Sequence, residues 1–163
     1  MTTNELVYGG TLSAVVRRLR VSDAVDLQGS CFPEQTLDAV QAYAEWCLRQ
    51  METGRLLRLV AEVDGHAVAN GQLTLQGDQA EIGSLVVAAT YRRQGIGRQL
   101  LRALIAEAEG RGVGILVLAA DVQERWLRAW YEREGFVHIG EHLLPRDERV
   151  SVLQMQLGDR EVE

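Results

Sequence analysis

The chain has no lysine: all 17 of its basic residues are arginine. Phosphate-binding loops of the Walker type close on Gly-Lys-Ser/Thr, so that form of nucleotide chemistry is excluded. A Schiff-base mechanism, which needs a lysine amine, is excluded with it. Proline is nearly absent, with only Pro33 and Pro145, and no stretch has the composition of a linker. The two cysteines, Cys31 and Cys47, stand in helix-like stretches without metal-ligand spacing. They read as reduced thiols of a cytoplasmic protein. The longest apolar run, Ile115 to Ala120, is far too short to cross a bilayer. The opening MTTNELVYGG has neither the basic region nor the apolar core of a signal peptide. Positive charge is in deficit, with a formal net charge of -6. That argues against binding nucleic acid or an anionic membrane and favours a cationic partner such as an amine.

What is present fits one domain. A length of 163 residues, 47% hydrophobic and 25% charged, supports a single core, with the folded part spanning roughly 14–157. Ala14 to Val21 reads as a first strand, and Ser22 with Asp23 stands where a short helix would begin. Pro33 breaks the chain between Cys31 and Glu34. From Thr36 to Met51, Leu37, Val40, Ala44, Cys47 and Met51 share one helical face. The period then changes to two. Leu56–Val63, Ala67–Leu75 and Ala80–Val87 read as three antiparallel strands, turning at Asp64-Gly65 and Gly77-Asp78. A helix follows over Gly97–Arg111, burying Leu100, Leu101, Leu104, Ile105 and Ala108. Ile115–Ala120 reads as a buried strand, Glu124–Arg133 as a helix, and Phe136–Leu144 with Val150–Leu157 as a last hairpin around Pro145. The tail beyond Leu157 reads as frayed. The predicted fold is α/β: a mixed, mostly antiparallel central sheet flanked by helices, in the order β-α-α-β-β-β-α-β-α-β-β.

Between the third meander strand and its helix lies TYRRQGIGRQLL. Backbone N–H groups at a helix start point outward and carry partial positive charge, so they can hold an anion. Gly95 and Gly97 let the backbone approach a ligand with no Cβ in the way. Arg92, Arg93, Arg98 and Arg102 add formal charge, and a diphosphate would match the loop well. The dinucleotide pattern Gly-x-Gly-x-x-Gly is not met, because position 100 is Leu. Taken alone, the loop is equally a tight turn with solvated arginines.

LVVAATYRRQGIGRQLL resembles the acetyl-CoA-binding signature of the GNAT N-acetyltransferases, (Gln/Arg)-x-x-Gly-x-(Gly/Ala), with Arg92, Gly95 and Gly97 in its fixed places. WYEREGF, Trp130 to Phe136, resembles the family's second hallmark, an aromatic-Tyr-x-x-x-Gly-Phe segment. The element order matches as well. The resemblance implies that the chain moves an acetyl group from acetyl-CoA to a primary amine by direct attack, with no metal. The loop amides of Arg93, Gln94, Gly95, Ile96 and Gly97 would hold the CoA pyrophosphate, with Arg98 close behind. Leu85, Val86 and Val87 would splay from the neighbouring parallel strand and pair with the pantetheine arm as an added strand. A backbone N–H among those three would polarise the thioester carbonyl. Tyr131 matches the tyrosine near the CoA sulfur and would return a proton to the thiolate. Glu81 resembles the strand glutamate that serves as general base in histone-type members, with Glu62 as runner-up. Two positions depart from the pattern: Glu124 stands where many members have an Asn that binds pantetheine, and Ala89 where a Pro is frequent.

The same residues admit a non-catalytic acyl-CoA-binding module, in which Tyr131 and Glu81 serve structure alone. Trp126 and Trp130 read as packing. The acceptor site is expected between the break at Cys31–Glu34 and the hairpin near Leu143–Arg149, where Glu34, Asp38, Asp147 and Glu148 could attract a cation. A homodimer is left open. HIGEH, His138 to His142, fits His-x-x-Glu-His, but that zinc motif needs a helix. On a strand the two histidines would share a face about 13 Å apart, too far for one ion.

Overall fold

The computed structural model describes residues 6–7 and 11–158. A two-stranded ribbon, β1 (Leu6–Val7) and β2 (Thr11–Leu12), precedes the main domain. The domain runs β3 (Val15–Arg18), α1 (Ala24–Ser30), α2 (Leu37–Glu52), β4 (Leu56–Val63), β5 (His66–Gln76) and β6 (Gln79–Val87). It continues through α3 (Ile96–Gly110), β7 (Ile115–Asp121), α4 (Arg125–Arg133), β8 (Val137–Leu143) and β9 (Arg149–Gln156). Beyond the ribbon, this is the order the sequence predicts. The tail expected to fray lies, after Gly158, outside the described residues.

The helices begin where side chains can meet their free amides. Thr36 is extended at φ -78° and ψ 157°, and its Oγ1 accepts the Ala39 N–H at 3.1 Å, which starts α2. α2 buries Val40, Ala44, Cys47 and Met51. Leu37, expected on that face, sits in the first turn and stays exposed. The start of α1 differs from expectation. Asp23, not Ser22, organises it: Asp23 accepts the Arg20 N–H at 2.8 Å and binds Arg17 through both carboxylate oxygens at 2.7 and 2.9 Å.

The seven strands of the main sheet lie in the order β3-β4-β5-β6-β7-β9-β8. All neighbours are antiparallel except β6 and β7. Alternate residues of β5 serve opposite faces. Gln72 meets α2, whose Tyr43 hydroxyl donates to its Oε1 at 2.9 Å. Gly71 lies beneath α3. A Cβ at Gly71 would come within 2.9 Å of Leu85 Cδ1 and 3.0 Å of Leu104 Cδ1. On that side α3 buries Ile96, Leu100, Leu101, Leu104 and Ala108, each large side chain contributing about 1.5–3 kcal/mol.

Gly71 also marks an irregularity. Gln72 pairs with Gly83 and Asn70 with Val86, so Ser84 and Leu85 together face the single residue Gly71. Ser84 takes φ +52° to do so. Such a bulge bends its strand and sharpens the local twist. β6 pairs with β7 only at Gln79, Ala80 and Glu81, opposite Ile115, Leu116 and Val117. Beyond that point the two strands part, while β7 stays paired to β9 along its whole length.

A second bulge lies in β8 and changes one expectation. His138 faces Leu153 but His142 faces Val150, with Ile139 as the extra residue. Partners three apart on β9 put the two histidines on opposite faces, not the same one. Among the described residues no group of His, Cys, Asp and Glu gathers as a metal site.

If α3 rests on the bare backbone of Gly71, then Gly71→Val overpacks that contact and lowers stability by about 1–3 kcal/mol. Chemical denaturation measures it. A variant as stable as the wild type would show that α3 does not depend on that close approach.

Candidate active site

The parting of β6 and β7 leads directly into the glycine loop. After Val87 a single 3-10 turn spans Ala89–Tyr91. Arg92 then folds back, its Nε donating to the Val87 carbonyl at 3.0 Å. Arg93 and Gly95 both take left-handed backbone, at φ +64° and φ +86°. Gly95 caps α3 in that conformation, which a side chain would strain. The first bond of the helix ladder is Gln99 N–H to the Gly95 carbonyl at 3.1 Å. The amides of Ile96, Gly97 and Arg98 therefore precede the ladder and add their partial charges at the end of the opening.

The side chains around these amides divide into three kinds. Ile96 is buried in the core, so only its backbone can reach a ligand. Gly97 keeps the α3 backbone close to Val87 and to Trp130, whose indole lies 3.9 Å from where a Cβ would stand. Arg98 and Arg102 do not lean over the loop as free cations. Both reach Glu134, at 3.2 and 3.5 Å, and the Glu134 side chain is nearly buried. That carboxylate ties the end of α4 to α3 and cancels part of the charge read from the sequence. Arg92 and Arg93 remain exposed beside the loop.

Tyr131 sits on the same side, on α4, buried edge-on between Trp130 and Phe136 with ring centroids 5.0 and 5.8 Å away. Burial pushes its phenol up to about 12, so it keeps its proton at any ordinary pH. Trp126, one turn earlier, is 67% exposed and does not pack. Glu124 is exposed ahead of α4 and makes no side-chain cap.

Glu81 holds the last register position before β6 and β7 part, opposite Thr74 on one side and Val117 on the other. It is exposed, at the apex of the opening. Glu62 is not equivalent. Its Oε1 accepts from Arg17 Nε at 2.7 Å, on a strand two removed from β6. That ion pair holds its carboxylate on Arg17 of β3.

The face under α1 and α2 holds Cys31, read from the sequence as a reduced thiol, and two residues that the sequence reading passed over, Arg58 and Asn70. Cys31 Sγ lies 3.9 Å from the Val86 carbonyl, on the strand that borders the opening. Burial pushes its thiol up, partly opposed by the Ser30 hydroxyl and Asn70 amide. Arg58 and Asn70 are buried and bonded to one another. A signal for them existed: each is a polar residue inside an otherwise apolar run, LLRLV and AVANG. The four acids expected to attract a cation, Glu34, Asp38, Asp147 and Glu148, are all exposed.

The site thus joins an opened sheet edge to a helix-capping glycine loop, with a buried tyrosine on α4. The profile of the acetyltransferase (GNAT) family matches residues 21–136, and the chain belongs to that family. A curated relative, the ribosomal protein bS18-alanine N-acetyltransferase of Escherichia coli strain K12, is 36% identical over 88 residues. The match spans 47% of this chain and 60% of that relative, less than two thirds of its length. Among solved structures, the ribosomal-protein-alanine N-acetyltransferase of Brucella melitensis superposes with a TM-score of 0.74 at 24% identity, covering 88% of this chain and 99% of that one. The PaiA N-acetyltransferase of Thermoplasma acidophilum, in complex with coenzyme A, gives 0.67 at 15% identity, covering 88% and 99%. At these identities the structures share the fold with this chain.

Gly95→Val forces a β-branched residue into left-handed backbone, a strain of about 1–3 kcal/mol. The expected result is a lower melting temperature and a Kd for acetyl-CoA raised at least tenfold, read by calorimetry. Unchanged affinity would mean that the amides after Gly95 do not hold the cofactor.

Proposed function

We propose that the chain transfers an acetyl group from acetyl-CoA to a primary amine by direct attack, with no acyl-enzyme. The observation that carries this reading is the early parting of β6 from β7 together with the amides that open α3. Among the described residues the β7-facing edge of β6 from Leu85 to Val87 has no strand partner, and an extended pantetheine arm can supply one. The amides of Arg93 to Arg98 lie where that arm's pyrophosphate would end. An N–H on the same strand polarises the acetyl carbonyl as negative charge develops on its oxygen. The family, and a structural neighbour that holds coenzyme A, support the choice of cofactor.

Two side chains move the protons. Alkylamines have a pKa near ~10.4, so the acceptor must lose a proton before it attacks. Glu81 at the apex accepts it, directly or through a water. Tyr131 returns a proton to the sulfur that leaves. A phenol at about 12 is a weak acid, but the burial that raises it also raises a thiol held beside it, so the two stay matched. The exposed acids near Pro33 and Pro145 draw the cationic amine toward this face. The relatives' names make the amine of a protein alanine one acceptor to try first.

The test is release of CoA from acetyl-CoA in the presence of a pool of amines and alanine-starting peptides. Acetylated product appearing with free CoA supports transfer. Tight acetyl-CoA binding with no turnover by any amine would leave a binding module instead. Two finer outcomes are expected. Tyr131→Phe lowers kcat by about 10²–10⁴ without abolishing it. The pH profile of kcat/KM rises toward the amine's pKa with no falling limb near ~10, because the buried phenol is still protonated there. A limb near ~10 that disappears in Tyr131→Phe would contradict the burial of that group.

A further inference from the structure

The two helices beside the opening carry charge against their own dipoles. Positive charge is unfavourable at a helix start, and negative charge at a helix end. Arg98 nevertheless lies in the first turn of α3, which holds no acid. Glu134 is the residue that caps the end of α4. Its side chain is only 8% exposed, where an unpaired carboxylate would be costly. One contact resolves both misplacements. Glu134 meets Arg98 Nε at 3.2 Å and Arg102 Nε at 3.5 Å, so a single carboxylate bridges two successive turns of α3.

A second contact lies beside it. Trp130, one turn before Glu134 on the same helical face, rests against Gly97. α4 is therefore fixed on α3 at two points, an indole on bare backbone and a carboxylate between two guanidinium groups. The apolar contact is non-directional. The ionic one is met only when the end of α4 stands beside the first two turns of α3.

Tyr131 is carried between these two points. Its ring packs edge-on against Trp130 and Phe136. Among the described residues no hydrogen bond holds its hydroxyl, and burial alone accounts for its raised pKa. The place of that hydroxyl is therefore set by the place of α4.

We propose that Glu134 is a positioning residue for the transfer reaction: by clamping Arg98 and Arg102 it fixes α4 against α3, and so holds the Tyr131 hydroxyl at the sulfur that leaves. This rests on the acetyl-transfer reading, which gives the phenol its proton to deliver. Release of the clamp acts in opposite directions on the two halves of the site. The phenol moves off its target, while the freed guanidinium groups beside the loop add attraction for an anionic cofactor.

The experiment is a double-mutant cycle on the full chain: wild type, Glu134→Gln, Tyr131→Phe and both together, with kcat and KM for acetyl-CoA measured against the best amine. Glu134→Gln should lower kcat about tenfold or more with no rise in KM, and less than about twofold once Tyr131 is replaced. Arg102→Met, on the exposed side of α3, loosens the same clamp without touching α4. It should lower kcat about threefold or more, again only while Tyr131 is present. A readout free of turnover is the absorbance of phenolate at about pH 11. There Glu134→Gln should show one phenolate more than wild type, and the double variant should lose it.

An equal loss of kcat with and without Tyr131, a loss accompanied by a rise in KM, full kcat in Glu134→Gln, or no added phenolate would overturn the proposal and leave the clamp a matter of stability alone. If Glu134→Gln does not fold, the Arg102→Met cycle decides by the same criteria. Failure of acetyl transfer itself shows separately, as absence of CoA release by wild type with every amine, and the phenolate readout then still tests the clamp.

Discussion

Everything at the candidate site follows from a single kink. β6 must pair with β5 along nearly its whole length, yet it must leave β7 after three residues. A regular strand cannot do both, because sheet neighbours keep a constant spacing. The extra residue at Ser84–Leu85, opposite Gly71, resolves the conflict by bending β6 while its outer ladder to β5 resumes at Asn70–Val86. Gly71 makes the bend possible from above as well, since α3 can settle its leucines onto bare backbone. The same strand then ends at the glycine loop, so one distortion positions the unpaired edge, the loop amides and the start of α3 together.

Charge is distributed with similar economy. The chain carries arginine alone as its strong base, and guanidinium suits bidentate, partly buried pairing better than an ammonium does. Arg17 stitches β3 to β4 and to the turn before α1 through Asp23 and Glu62. Glu134 holds Arg98 and Arg102, joining α4 to α3 beside the loop. These pairs fix the elements that carry Tyr131 and Gly97. Arg58, buried on β4, is held instead by neutral partners, Asn70, Tyr43 and Gln72.

Much of this was legible in the sequence because it depends on local signals. Thr36 marked a helix start, Asp64-Gly65 a two-residue turn, and the change of period after Met51 the meander; each acts within a few residues. The glycine loop was legible for the same reason, since left-handed backbone at Gly95 is a property of that position alone. What was not legible depends on contacts between distant segments. Arg98 and Arg102 looked like loop cations because Glu134 is far away in sequence. Glu62 looked available because its partner Arg17 is on another strand. The bulge in β8, which separates His138 from His142, leaves no more trace than Gly140. Arg58 and Asn70 broke apolar runs in plain view, but only the fold shows that they meet.

The most direct measurement is amide hydrogen exchange of the free protein and of the protein saturated with acetyl-CoA. If the cofactor completes the open edge of β6, exchange slows at Leu85 to Val87 and at the amides from Arg93 to Arg98, while β4 and β8 are unchanged. Protection elsewhere, with those two segments exchanging as before, would contradict the claim that the parting of β6 from β7 exists to hold acetyl-CoA.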